Sequence, residues 1–433
     1  MKREALKYLF NWKQKANRKP LIIRGARQVG KTWLMKEFGK TNYSRSAYIN
    51  FENTKTLLDI FKDNFDVKRI IEAIEIETGV TIDKDNTLII FDEIQEVERG
   101  ITALKYFYED APQFHIMAAG SLLGIALHQN SSFPVGKVDF LDLYPLGFME
   151  FLEAVGQTRL VPLLVNGDWE LIKAFKNKFI DLLKHYYFTG GMPEVVLEYI
   201  STGDFNTVRS IQNNILSGYE HDFSKHAPSS IVPRIRLLWN AIPAQLTKEN
   251  KKFVYGAIKK GARAKDFEVA LNWLSDSGLV YKVHRIVKPG LPLKAYEDFS
   301  AFKLFVVDVG LLGAMTGLSA KTIIEGNRIF EEFKGSLTEQ FVMQQLRFSY
   351  GSEIFYWSAE KSRGEIDFIV QNDEEIIPIE VKAEENLKAK SLKSFFQKYV
   401  QTKPVRLSMS DFREENWMTN LPLYAVGVNR SVL

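Results

Sequence analysis

Short apolar runs recur along the first third of the chain: LIIR near residue 21, YINF near 48, TLIIFD near 87, HIMAAG near 115 and VDFLDL near 138. Between them lie stretches such as KTWLMKEF and ALKYFYED, whose apolar residues return at helical spacing. Strands alternating with helices predict an α/β fold with a doubly wound parallel sheet, because parallel neighbours need a crossover between them. From about Trp169 to Phe223 the pattern is helical, with KAFKNKFIDLLKHYY and VRSIQNNILSGYE broken by FTGGMPEVV. There Gly190, Gly191 and Pro193 end one helix and start another.

Between about 226 and 315, RIRLLWNAIPAQL, KKFVYGAIKK and DFEVALNWLSDSGLV read as helices, and YKVHRIV and LKAYE as a small hairpin joined by KPGLP. Helices followed by a hairpin predict a winged helix-turn-helix. From Gly335 onward the chain reads as one helix, SLTEQFVMQQLRF, then strands EIFYW, EIDFIV and EIIPIEVKA, then a lysine-rich helix, KAKSLKSFFQKYV. The expected segmentation is 1–160 for the first α/β domain, 161–225 for a helical lid, 226–318 for the winged helix and 319–433 for a second α/β domain.

A chain of 433 residues exceeds what one core usually organises, in keeping with about two to four domains. Its hydrophobic and charged fractions, 45% and 25%, exclude a disordered or fibrous class. A net charge of +4 permits nucleic-acid binding without arguing for it. The absence of cysteine excludes disulfides and cysteine-ligated zinc and favours a reducing interior. His221 and His226 are five positions apart and do not stack on one helical face, which argues against a histidine metal site. The first residues interleave charge with apolar positions, unlike a signal peptide, and LFVVDVGLLGAM contains Asp308 and is too short to span a bilayer. A cytoplasmic location without a membrane partner is expected.

Chemistry concentrates first at IIRGARQVGKTWL. Gly25 to Thr32 spell G-x-x-x-x-G-K-[ST], placed between a strand and a helix, where loop amides and the helix N-terminus form an anion site. Gly25, Ala26, Arg27, Gln28, Val29, Gly30, Lys31, Thr32 and Trp33 are the expected ATP-binding residues, with Arg27 and Gln28 facing solvent. Lys31 reaches the β- and γ-phosphates, and the Thr32 hydroxyl serves Mg²⁺. TLIIFDEIQ delivers Asp92 and Glu93 at the carboxyl end of a buried strand. Asp92 would hold the magnesium, and Glu93 would orient or deprotonate the attacking water. Ser121, after HIMAAG, either senses the γ-phosphate or the lytic water or caps the next helix.

A second set of acids lies near the C-terminus. Asp367 sits on one strand and Glu380 and Lys382 share a face of the next, since alternate residues of a strand point together. Two carboxylates of this kind suit Mg²⁺ or Mn²⁺, with Lys382 steadying a hydroxide or developing charge and Glu339 adding an outer acid. E-x-K also occurs at Glu249/Lys251 and Glu332/Lys334, and only the third copy lies on an apolar strand. A salt bridge of Glu380 with Lys382 or a neighbour is the alternative. In the winged helix, Asp266, Glu268 and Asp276 oppose Lys265 on the third helix and argue against groove reading. Lys251, Lys252, Lys259, Lys260, Arg263, His284, Arg285 and Lys288 cluster beside it, leaving DNA contact by the wing and protein docking both open.

GARQVGKT, FDEIQ, AAGSLLG, VDFLDLYPLGFMEFL and YYFTGGMPEVV resemble, in order and over nearly the whole chain, the bacterial and archaeal AAA-type P-loop ATPases that carry a C-terminal domain of unassigned function. The resemblance implies an ATPase first, a winged helix next and a restriction-endonuclease-like fold last. The order of Glu339, Asp367 and Glu380-x-Lys382 resembles the PD-(D/E)xK nucleases. That family usually has arginine after the glycine of the GKV segment; this sequence has Lys137, so no arginine finger is assigned. Two functions follow as expectations: a Mg²⁺-dependent ATPase gating a nuclease on DNA or RNA, or a nucleotide-dependent switch that binds a protein partner, with the nuclease-like fold inactive and serving only as a docking surface. The winged helix is a further expected place for a protein partner. Homo-oligomer formation is compatible with either.

Overall fold

Strands β1 (Leu21–Arg24), β2 (Arg45–Asn50), β3 (Thr87–Asp92), β4 (His115–Ala119) and β5 (Asp139–Asp142) coincide with the five apolar runs. The computed structural model describes residues 1–54, 56–58, 60–63, 65–97, 99–120, 136–247, 252–326, 328–351, 353–359, 364–385 and 389–428. It divides into two units, one of Lys2–Tyr144 with Asp276–Leu279, the other of Pro145–Ser275 and Val280–Leu433 together with Met1.

In the first unit the five strands are all parallel, in the order β2-β3-β4-β1-β5. β3 is buried at every position, as a central strand covered on both faces must be, whereas edge strand β2 alternates. Phe51, Phe61 and Phe91 close one face of this core with ring centroids 5.4–5.9 Å apart. Because every strand runs the same way, all carboxyl ends share one edge. β1 runs there into the glycine loop, β3 ends there in Asp92, and β4 ends between them.

The second unit carries helices Lys176–Thr189, Pro193–Thr202 and Phe205–His226 as expected, and the break between the first two has a specific cause. A Cβ on Gly190 would lie 2.0 Å from Asp308 Oδ1, and one on Gly191 would lie 2.1 Å from the Leu146 carbonyl. Asp308 is fully buried and accepts hydrogen bonds from the Gly191 amide (2.6 Å), the Leu311 amide (3.1 Å) and Gln344 Nε2 (3.1 Å). Gly190 therefore makes room for a buried carboxylate whose pKa burial raises, and Gly191 for the chain at Leu146.

Eight strands form the sheet of this unit: β6 (Val280–Ile286), β7 (Glu297–Val306), β8 (Ile354–Ser358), β9 (Glu365–Asn372), β10 (Glu375–Val381), β11 (Val405–Ser408), β12 (Arg413–Glu415) and β13 (Met418–Pro422), in the order β12-β13-β11-β10-β9-β8-β6-β7. The hairpin expected as a wing is thus continuous with the C-terminal strands, β6 pairing in parallel with β8 through His284 and Phe355. The segmentation at 318/319 runs through one sheet. LKAYE forms a 3-10 turn at Leu293–Tyr296, and the hairpin's second strand is the following β7. KKFVYGAIKK is a 3-10 turn at Tyr255–Ala257 rather than a helix; the Phe253 amide bonds the Phe302 carbonyl and Gly256 and Gly261 weaken helical propensity. Edge strand β7 is covered by a side chain: Gln340, on helix Arg328–Tyr350, bonds both the amide and the carbonyl of Val306.

Candidate nucleotide site and the C-terminal carboxylates

The loop after β1 depends on two glycines. Gly25 has φ 144° and a Cβ there would meet the Leu143 carbonyl at 2.1 Å, while Gly30 has φ 93° and opens helix Lys31–Asn42 without a side-chain cap. Uncapped first-turn amides and a bare loop are what a phosphate requires. Gln28 is exposed with φ 68°, Trp33 is 40% exposed, and Arg27, expected in solvent, is half-buried. Buried Arg3 braces the loop, donating to the Val29 carbonyl (3.1 Å) and the Tyr144 carbonyl (2.6 Å). Lys31 is buried and folds back on its own loop, with Nζ 2.8 Å from each of the Gly25 and Ala26 carbonyls.

Asp92 ends β3 nearly buried, at 3% exposure. The Thr32 hydroxyl donates to its Oδ2 at 2.7 Å, and the Tyr48 hydroxyl donates to the same oxygen at 2.9 Å. Burial, with Asp92 adding to it, pushes the Tyr48 phenol up to about 12, so it remains a donor at neutral pH. Thr32 and Asp92 thus converge as oxygen ligands, a donor set that fits Mg²⁺. Glu93 adopts φ 51°, ψ 46°, a left-handed conformation costing on the order of 1 kcal/mol for a non-glycine residue. Gln95 Nε2 donates to Glu93 Oε2 at 2.6 Å and fixes the carboxylate. Arg3, Tyr48 and Gln95 are the residues that sequence reasoning missed. A signal existed for Tyr48, which lies two positions before Asn50, the register partner of Asp92. Ser121 lies outside the described residues. Lys137 forms an ion pair with Glu109 at 3.0 Å.

In the second unit, Glu339 lies on the expected helix and Asp367 and Glu380 on the expected strands, while Lys382 stands one residue beyond the end of β10. β9 and β10 pair antiparallel through Phe368 and Ile379, which puts Asp367 and Glu380 at the next facing positions. A protein donor reaches one oxygen of each, while Glu380 Oε2 is buried without a hydrogen-bond partner. Asp367 Oδ2 accepts from the Val381 amide at 2.8 Å, and Glu380 Oε1 pairs with Lys382 at 2.9 Å and stands in register with buried Arg406. Lys303, from β7 and fully buried, lies 2.5 Å from Glu365 Oε1 and 3.9 Å from Glu339 Oε2. Burial would lower its pKa, but Glu339, Glu365 and Asp367 outweigh that and raise it above the ordinary lysine value. A donor set threaded by an ammonium and an amide does not fit a divalent ion. Among the described residues no group of three or more histidine, aspartate or glutamate side chains is arranged to hold a metal.

Residues 17–152 match the family model of the AAA domain. This segment is similar to AAA domains. Residues 149–322 and 334–425 match two domains of unknown function, DUF8612 and DUF4143. A search of curated proteins gave no match. Similar solved structures include the Walker-type ATPase PABY2304 of Pyrococcus abyssi (14% identity, 73% of this chain and 95% of that one, TM-score 0.45). The Aeropyrum pernix ORC1 protein in complex with DNA (10%, 72% and 90%, 0.27) and Cdc6p from Pyrobaculum aerophilum (13%, 74% and 94%, 0.26) are further examples. Likenesses at this level carry no argument about function. No described helix is long and apolar enough to cross a membrane.

The AAA domain's lysine makes a pH prediction. Burial lowers the Lys31 pKa to about 8 in the free site, the charges of Glu93 and Asp92 only partly opposing it. A bound triphosphate would raise it again, so above pH 8 binding requires a proton and affinity falls as pH rises. ATP is itself fully deprotonated at about pH 9, so a proton taken up there enters the protein. Calorimetry at that pH should give binding heats that vary with the ionisation enthalpy of the buffer; heats independent of buffer would contradict the assignment.

Proposed function

We propose that the AAA domain binds ATP with Mg²⁺ and hydrolyses it, and that its nucleotide state governs the second unit. The observation that carries this reading is the meeting of Thr32 and Asp92 oxygens at 2.7 Å on the sheet edge where the glycine loop opens. Loop amides from Gly25 to Gly30 would bind the phosphates, and Lys31 would exchange its two carbonyl partners for phosphate oxygens. Thr32 and Asp92 would hold Mg²⁺, Tyr48 keeping the carboxylate in place. Magnesium, when bound, supplies charge withdrawal from the phosphate oxygens. Glu93, steadied by Gln95, would orient the attacking water and accept its proton. Phosphate release from ATP by the full chain should require Mg²⁺ and stop with chelator. No release under any divalent ion would overturn the proposal.

For the second unit, a nucleotide-dependent switch that binds a protein partner is supported over an ATP-gated nuclease on DNA or RNA. The engagement of Asp367 and Glu380 by protein donors favours it. The helix Ala264–Asp276, bearing Asp266, Glu268 and Asp276 against Lys265, adds to it: this surface suits a protein better than a phosphate backbone.

A further inference from the structure

The acids of the second unit surround an amine from a part of the chain that the sequence segments separately. Lys303 on β7 has no solvent exposure; its Nζ lies within ion-pair distance of Glu365 on β9 and Glu339 on helix Arg328–Tyr350, and 5.0 Å from the ring centroid of Tyr356 on β8. A lysine sealed from water is costly unless carboxylates neutralise it, and buried carboxylates are as costly without a cation. Each therefore accounts for the other's presence.

We propose that the Lys303 ammonium is a built-in counter-ion that takes the place of a divalent metal among Glu339, Glu365 and Asp367, so that this nuclease-like carboxylate cluster is a closed ion-pair centre. A tethered ammonium is present at one per cluster, whatever the metal concentration, and cannot diffuse away. It also blocks the approach that a hydrated ion, which needs several oxygen ligands, would have to make. Asp367 Oδ2 also accepts the Val381 amide, and neighbouring Glu380 pairs through one oxygen with Lys382, its Oε2 being buried without a hydrogen-bond partner. The centre links β7, β9 and the long helix, so its function is to hold this sheet in one arrangement. The inference does not rest on the ATPase reading, since every residue in it belongs to the second unit.

The test is a Mn²⁺ titration of the full chain without nucleotide, following free Mn²⁺ by electron paramagnetic resonance. Wild type should show no bound Mn²⁺ that Asp367→Asn removes. Lys303→Met should gain one such site, with Mn²⁺ raising its melting temperature on the order of 5 °C near saturation. Two results would overturn the proposal: a wild-type Mn²⁺ site lost in Asp367→Asn, or a folded Lys303→Met that gains none. Metal-dependent cleavage of plasmid, single-stranded DNA or RNA that Asp367→Asn abolishes would overturn it too. Should Lys303→Met not fold, the wild-type titration decides alone, absence of the site supporting the proposal and its presence refuting it.

Discussion

Lys31→Ala should leave the chain folded and without measurable ATP turnover. The side chain contributes little to folding, because burial disfavours its charge, Glu93 and Asp92 only partly oppose that, and its ammonium bonds two carbonyls of its own loop. Towards a triphosphate the balance reverses. An ammonium beside phosphate oxygens forms charge-assisted hydrogen bonds, each worth about 1.5–3 kcal/mol, and its effect grows as charge shifts in the transition state. A loss of roughly 4 kcal/mol corresponds to about a thousandfold fall in rate. Phosphate release, with circular dichroism to establish folding, measures the effect. Turnover at the wild-type rate would refute the assignment of Gly25–Thr32 as the phosphate loop.

The first unit was legible because its signals are local. Five apolar runs, a loop with glycines at fixed offsets and an acid pair ending a buried strand each occupy a few consecutive residues, and a parallel sheet then brings the loop and acids to one edge. What supports the site was not legible, because it comes from far along the chain: Arg3 reaches Tyr144, 141 positions away, and Tyr48 reaches Asp92 from the neighbouring strand. In the second unit Glu339 and Asp367 were found, but Glu365 and the cation between them were not. Lys303 stands inside AFKLFVV, and a lysine in an unbroken apolar run signals a buried partner. Segmenting the chain before Glu339 concealed that partner, since periodicity cannot show that a hairpin will join a sheet formed later. β11 to β13 were missed because runs as short as VRLS carry too few alternations to register. Asp308, read only as an interruption of an apolar run, proved to be the reason for Gly190.

Glu93→Gln should separate binding from chemistry. Glutamine has nearly the shape of glutamate, and its carbonyl oxygen can still accept the Gln95 hydrogen bond seen at 2.6 Å, so the left-handed backbone and the placement of the side chain survive. Lys31, Thr32 and Asp92 are untouched, and nucleotide affinity should change little. What disappears is a carboxylate able to take a proton from water, a contribution of about a hundredfold to ten-thousandfold in rate. The variant should therefore elute from gel filtration with ATP still attached, where wild type releases ADP and Lys31→Ala carries neither. Hydrolysis by Glu93→Gln at the wild-type rate would mean that another group activates water and that the strained turn after β3 serves only to close the strand. Trapped, uncleaved ATP would instead place the proton acceptor at Glu93 and make Gln95 the next position to vary.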